Sequence, residues 1–149
     1  GAFVVVCQDT VKGGKRETCE KDAAAALERG ASVVIDRTHG TVEQRAHFCD
    51  IAKSRGAQLH ALVFDVPRDE CERRVLHRDD GHKVSGQAGV EIMKKRAPDL
   101  RANPISPEEG FECITVVRDD AEVRAALDAY SAGGARGGGE YGACDSPGH

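Results

Sequence analysis

Apolar residues along the chain fall into short β-branched runs, separated by longer stretches in which they recur every three or four positions. Residues 2–8 form the first run, which stops at the polar Asp9-Thr10 as a buried strand does. Residues 18–29 hold strong helix formers with Cys19, Ala23, Ala26 and Leu27 on one side, and Gly30 supplies a stop. Ser32–Asp36 reads as a second strand, again ending on Asp. Thr41, with Gln44 three residues on, has the form of a capping box and opens a helix that runs to Gly56. Val42, Ala46, Cys49 and Ala52 are the expected apolar side of that helix. A third strand is expected at 59–64, a helix from Pro67 to Arg78, a polar Gly-containing stretch at 79–87, and a short helix at 88–96. Pro98, Pro104 and Pro107 mark a connection before a last strand at 111–117 and a last helix at 119–130.

Strands that alternate with helices and are apolar on both faces predict a parallel sheet covered by helices, an α/β fold. The chain divides into a domain at 1–130 and a tail at 131–149. The tail holds seven glycines and almost no large apolar side chain. It buries too little to offset its ordering entropy, so it is expected to be disordered.

Composition narrows the partners. The net charge is −4, so any nucleic-acid contact must come from a local patch and not from the overall charge. Trp is absent and only two Tyr occur, which argues against an aromatic base-stacking platform. The longest apolar run is too short to span a bilayer, and no membrane partner is expected. The six cysteines lie 12 or more residues apart with no CxxC pair, and Cys7, Cys49 and Cys113 sit in apolar patterns. Reduced core thiols in a nuclear or cytoplasmic protein are the expectation, with no metal ligands among them.

Chemistry in an open parallel sheet gathers beyond the carboxyl ends of the strands. Asp9 and Asp36 close two of the strands there, a pair suited to a general base and a group that organises the site. Asp is also common after strands simply as a turn residue. Arg74 and Arg78 stand at i and i+4 on a predicted helix, where two guanidinium groups could close over phosphates. Glu70, Glu72 and Asp79 are equally placed to pair with them as a solvated face. The six His are scattered without a ligand pattern and read as surface residues. Lys12-Gly13-Gly14-Lys15 suggests phosphate binding only superficially, because it lacks the GxxxxGK[ST] form.

Five segments in order carry a resemblance: residues 6–10, 33–39, 41–46, the Arg74/Arg78 helix, and ProGluGluGlyPhe at 107–111. Together they resemble the kinase domain of the P-loop polynucleotide 5′-hydroxyl kinases, above all the kinase module joined to an aprataxin-like nucleotide hydrolase in plants and algae. The kinase half of polynucleotide kinase-phosphatase looks like a more distant relative. The resemblance implies a three-layer P-loop kinase-like parallel sheet. It assigns Asp9 as general base on the 5′-hydroxyl, with Asp36 organising the site and Arg45 supporting the substrate side. It gives the ATP phosphates to Arg78, assisted by Arg74. ATP and Mg²⁺ are the implied cofactors, and nucleic-acid 5′ ends and further domains such as an aprataxin-like HIT domain the implied partners. DNA strand-break repair or RNA end processing is the implied setting. Position 8 is Gln where many relatives have Arg, and residues 37–39 read ArgThrHis where AsnThrAsn is commoner.

No GxxxxGK[ST] loop occurs in the 149 residues, so the chain is expected to be a fragment lacking the first strand and phosphate loop, and to bind ATP weakly by itself. In such kinases that strand lies between those expected here at Ser32–Asp36 and 59–64, so a break in the sheet is expected between them. A kinase of the same fold acting on a small metabolite or tRNA is one alternative, and a degenerate fold kept as an interaction module is another.

Overall fold

The computed structural model describes residues 3–78 and 84–132. Its elements run β1 (Phe3–Cys7), α1 (Arg16–Glu28), β2 (Ser32–Asp36), α2 (Val42–Ser54), β3 (His60–Phe64), α3 (Arg68–Leu76), α4 (Gly86–Ala102), β4 (Cys113–Val117) and α5 (Asp120–Ala132). Single 3-10 turns occupy Lys12–Gly14 and Pro107–Glu109. The alternation of strands and helices is as the apolar pattern predicts. Five-residue runs of β-branched and apolar side chains are too short for a helix and long enough for a strand.

All strand pairing is parallel, but in two separate sheets. Strand β1 pairs with β2, placing Phe3 beside Ser32 and Cys7 beside Asp36. Strand β3 pairs with β4, from His60 beside Cys113 to Phe64 beside Val117. Among the described residues no ladder joins β2 to β3, the pair between which the resemblance implied a break.

On the first sheet, Val4, Val6, Val33 and Ile35 face the helical layer, where they pack with Cys19 and Ala23 of α1 and Phe48 and Ile51 of α2. The other face carries Phe3, Val5 and Val34, of which Val5 is 63% exposed. Among the described residues, one helical layer covers this sheet, where the sequence suggested helices on both faces. On the second sheet α5 lies against β4, and the Tyr130 ring sits 5.6 Å from that of His60.

Two boundaries and two buried positions differ from expectation for identifiable reasons. Helix α4 begins at Gly86 and continues through Pro98 to Ala102, beyond the expected 88–96. The strong helix formers on either side carry it past the proline, and Asn103 caps Asp99 O with both its backbone and side-chain N–H groups. The buried side of α2 is Arg45, Phe48, Cys49 and Ala52, whereas Val42 is exposed. The helix is rotated because Arg45 turns inward to a distant partner. Ser131 and Ala132, expected in the tail, complete α5, while residues 133–149 lie outside the described part. Cys19, and not Cys7 or Cys113, is the cysteine at the centre of the core. Its 0% exposure follows from its place under the first sheet.

Candidate functional site

The carboxyl ends of β1 and β2 bring Asp9 and Asp36 to one end of one sheet. Asp36 is the last residue of β2 and pairs with Cys7, and Asp9 stands two residues beyond Cys7. A tight turn holds Asp9 there, because the amides of Thr10 and Val11 both donate to Cys7 O at 3.2 and 3.1 Å. Both carboxylates are exposed.

Side chains from the next residues knit the two strand ends together. Gln8 accepts from Arg37 Nε at 2.9 Å and donates to Gly14 O at 2.8 Å. Positions 8 and 37 are two of those at which the sequence departs from the commoner form of the family it resembles, and here they touch each other. The Arg37 guanidinium also lies over the Phe48 ring, 5.5 Å from its centroid. His39 sets its ring edge-on to the same phenyl at 5.4 Å, with its backbone in the left-handed region at φ 48°. Burial, together with the charges of Arg37 and Arg45, lowers the His39 pKa to about 4, so its imidazole is neutral at pH 7. Among the described residues, the buried Arg37 Nη1 and His39 Nδ1 have no hydrogen-bond partner. Arg96 of α4 reaches the same loop and donates to Thr38 Oγ1 at 3.0 Å. The result is two guanidinium groups, Arg37 of the loop at 37–40 and Arg96 of α4, beside two exposed carboxylates at one end of the sheet.

Arg45 is turned into the interior instead. Its guanidinium is 4% exposed and directs all five N–H groups inward. Nε and Nη2 donate to the two carboxylate oxygens of Glu109 at 2.7 and 2.8 Å. The remaining bonds go to the carbonyls of His39 (3.0 Å), Asn103 (3.1 Å) and Pro104 (3.4 Å). Those hydrogen bonds hold the Glu109 carboxyl below the usual carboxylate range. ProGluGluGly is built for this contact: Ser106 and Glu109 form a reciprocal capping box, and Gly110 takes φ 100° where a Cβ would lie 2.5 Å from Lys53 Cε.

Arg74 and Arg78 do not share a helix, because α3 ends at Leu76 with His77 as its cap. Arg78 follows, exposed, its amide donating to Val75 O at 3.4 Å. Arg74 pairs with Glu70 at 2.6 Å, and Arg73 pairs with the same carboxylate at 2.7 Å. Their hydrogen bonds lower the Glu70 pKa to about 2. The polar stretch that should carry the lid lies partly at 79–83, outside the described residues. A separate cleft of about 190 Å³ opens between α2 and the Pro107–Glu109 turn, lined by Ala46, Cys49, Lys53 and Glu108 among others, and by none of Asp9, Asp36, Arg45, Arg74 or Arg78.

Sequence reasoning missed Arg37, His39, Arg96 and Glu109. For Arg37 and His39 the signal was available, since both depart from a recognised motif immediately after Asp36. Arg96 carried none, because its partner lies 58 residues away, and Glu109 stood inside the 107–111 segment of the resemblance with no role to read, its partner lying 64 residues away.

Comparison with known families gives the class. A family model described as an AAA domain matches residues 10–98, from the residue after Asp9 to Pro98 of α4. The chain belongs to this AAA domain family, which is P-loop kinase-like. The chain is also 32% identical over 131 residues to the transcription factor bHLH140 of Arabidopsis thaliana. The match takes in 85% of this chain but spans only 14% of that relative's length. Among the described residues, no helix is long and apolar enough to cross a membrane.

Proposed function

We propose that this domain is the acceptor and lid side of an ATP-dependent kinase that phosphorylates the 5′-hydroxyl end of a polynucleotide. The observation that carries the proposal is the placement of Asp9 and Asp36 at the carboxyl ends of two hydrogen-bonded parallel strands, beside the Arg37–Arg96 loop. Asp9, exposed just beyond the end of β1, is the base: it takes the proton of the 5′-hydroxyl as that oxygen bonds to the γ-phosphorus and the bond to ADP breaks. Asp36 organises the strand end. Arg37 and Arg96 supply the positive charge that an anionic polynucleotide end requires. Arg45 supports this side indirectly, by holding the His39 carbonyl.

ATP with Mg²⁺ is the phosphoryl donor in this reading, and the residues fit it in part. Arg78 and Arg74 are cations on exposed side chains, able to leave their present partners for phosphate oxygens. No group of three or more His, Cys, Asp or Glu among the described residues stands ready to hold a metal, and no GxxxxGK[ST] loop occurs in the sequence. We assign the phosphate cradle to other parts of a longer polypeptide, with further domains, an aprataxin-like HIT domain among them, as partners. A nuclear role in repairing DNA strand breaks is the setting we favour.

In the full-length polypeptide, Asp9→Asn is expected to lower transfer of labelled phosphate to a 5′-hydroxyl oligonucleotide on the order of 10²–10⁴-fold, with KM for ATP unchanged. Activity within about threefold of the parent would remove Asp9 from the mechanism. Absence of any ATP-dependent transfer in the parent would favour an interaction module of the same fold.

A further inference from the structure

Among the described residues the two sheets share no strand pairing, and side-chain contacts fix one against the other. The cross-links converge on one small region. Arg45 binds Glu109, Asn103 O and Pro104 O, Lys53 donates to Glu109 O at 2.8 Å, and Arg96 donates to Thr38. Every one of these bonds starts or ends on α2 or on the loop at 37–40. Arg45 is the link between the two, because the guanidinium that grips Glu109 also donates to His39 O. Glu109 is prepared in advance: Ser106 N–H donates to its Oε1 at 3.1 Å, which sets the carboxylate in the plane that Arg45 approaches.

The geometry points to Glu109 as a positioning residue. Through Arg45 it fixes the His39 carbonyl, and with it the loop that carries Arg37 beside the strand ends of Asp9 and Asp36. A bidentate carboxylate is needed for this, because Arg45 has no donor to spare and the buried guanidinium has no solvent to fall back on. The role in positioning an acceptor rests on the kinase reading above. The joint itself does not.

Amide hydrogen exchange of the whole chain carrying Glu109→Gln separates the two. The variant keeps the size of the side chain and removes its charge. The Gly40 amide donates to Gln44 Oε1 inside the loop at 37–40, and the Ala26 amide belongs to α1, away from the joint. We expect Gly40 to exchange at least tenfold faster in the variant while Ala26 is unchanged. Equal acceleration of both would mean that Glu109 only stabilises the fold, and no change at Gly40 would mean that it does not hold the loop. Either result overturns the assignment. Should Glu109→Gln fail to fold, Glu109→Asp, which keeps the charge but withdraws it by one methylene, is read on the same two amides. In the full-length polypeptide the same variants should raise KM for the oligonucleotide acceptor and leave KM for ATP alone. If the parent shows no phosphoryl transfer, the kinase reading fails, and the exchange data still decide the joint.

Discussion

The half built on β1, α1, β2 and α2 and the half built on β3, α3, α4, β4 and α5 reach order by different means. In the first, Val6, Cys19, Ala23 and Phe48 form one buried cluster with Val4, Val33 and Ile35 packed around it. In the second, the buried apolar residues are Ala61, Val75, Val90 and Val117, small side chains outside that cluster. Exposed ion pairs occur in both halves but are more numerous in the second: Arg68 with Glu72, Arg73 and Arg74 with Glu70, Lys94 with Glu91, and Arg118 with Asp65, against Arg16 with Glu17 and Glu20 and Arg55 with Glu28 in the first. Such pairs contribute roughly 0–1 kcal/mol each and are screened by salt. A sheet backed by a packed layer and a sheet fringed by surface charge are not equally stable, and the Arg45–Glu109 contact ties the weaker to the stronger.

The sharpest way to break this contrast is to empty the core of the first half. Phe48 is 7% exposed and supports both Arg37 and His39, so Phe48→Ala should cost about 3–5 kcal/mol in urea denaturation. A loss below about 1 kcal/mol would mean that the cluster is not what stabilises this half. The second half is better tested by overpacking. A Cβ on Gly89 would lie 2.8 Å from Val75 Cγ1 and 2.9 Å from the Val84 carbonyl carbon, so the seam between α3 and α4 has no room for it. Gly89→Ala should cost about 1–3 kcal/mol, the extra helix propensity of Ala notwithstanding. A stabilised variant would show that the two helices slide apart freely.

The smallest effect is set by pH. His39 has its pKa lowered in the folded chain from an ordinary 6.5 to about 4, so the unfolded chain takes up the proton first. Its contribution is therefore complete above about pH 6.5 and is lost as pH falls toward 4. Glu109, whose pKa is lowered by Arg45, loses its contribution only as pH falls below the ordinary carboxylate value of 4.5. Thermal melts should show a downward slope between pH 6.5 and 4.5 that His39→Gln flattens. A slope unchanged in the variant would assign it to another group.

Much of this was readable along the chain. Ser32–Asp36 and the Thr41–Gln44 cap lie where the pattern put them, because they depend on neighbours a few residues away. The interruption between β2 and β3 followed from a family likeness and not from any local signal. The side of α2 that turns inward did not follow from its own sequence. Val42, Ala46, Cys49 and Ala52 make a better apolar stripe than one containing Arg45, and hydropathy alone gives no reason to bury an arginine. The reason is Glu109, 64 residues on. The end of α3 escaped local reading for a similar cause: Arg74 and Arg78 have helical spacing, but the helix stops at Leu76, where His77 Nδ1 meets Arg73 O at 2.8 Å. The position of Asp9 and Asp36 at one end of the first sheet was legible because strand ends are local features.

The distance between Arg45 and Glu109 also has a consequence in time. Phe3 pairs with Ser32 after 29 positions, whereas His60 must wait 53 positions for Cys113. The difference in closure entropy is only about 0.5 kcal/mol, too little to order the two events by itself. Synthesis orders them instead. Every side chain of the first cluster has been made by Ile51, so that half can collapse while the second is still being translated. At about 5–20 residues per second, Arg45 then spends roughly 3–13 s on the ribosome without its carboxylate. For that interval a cation destined for the interior must stay hydrated, and α2 is held off its final rotation until ProGluGluGly emerges.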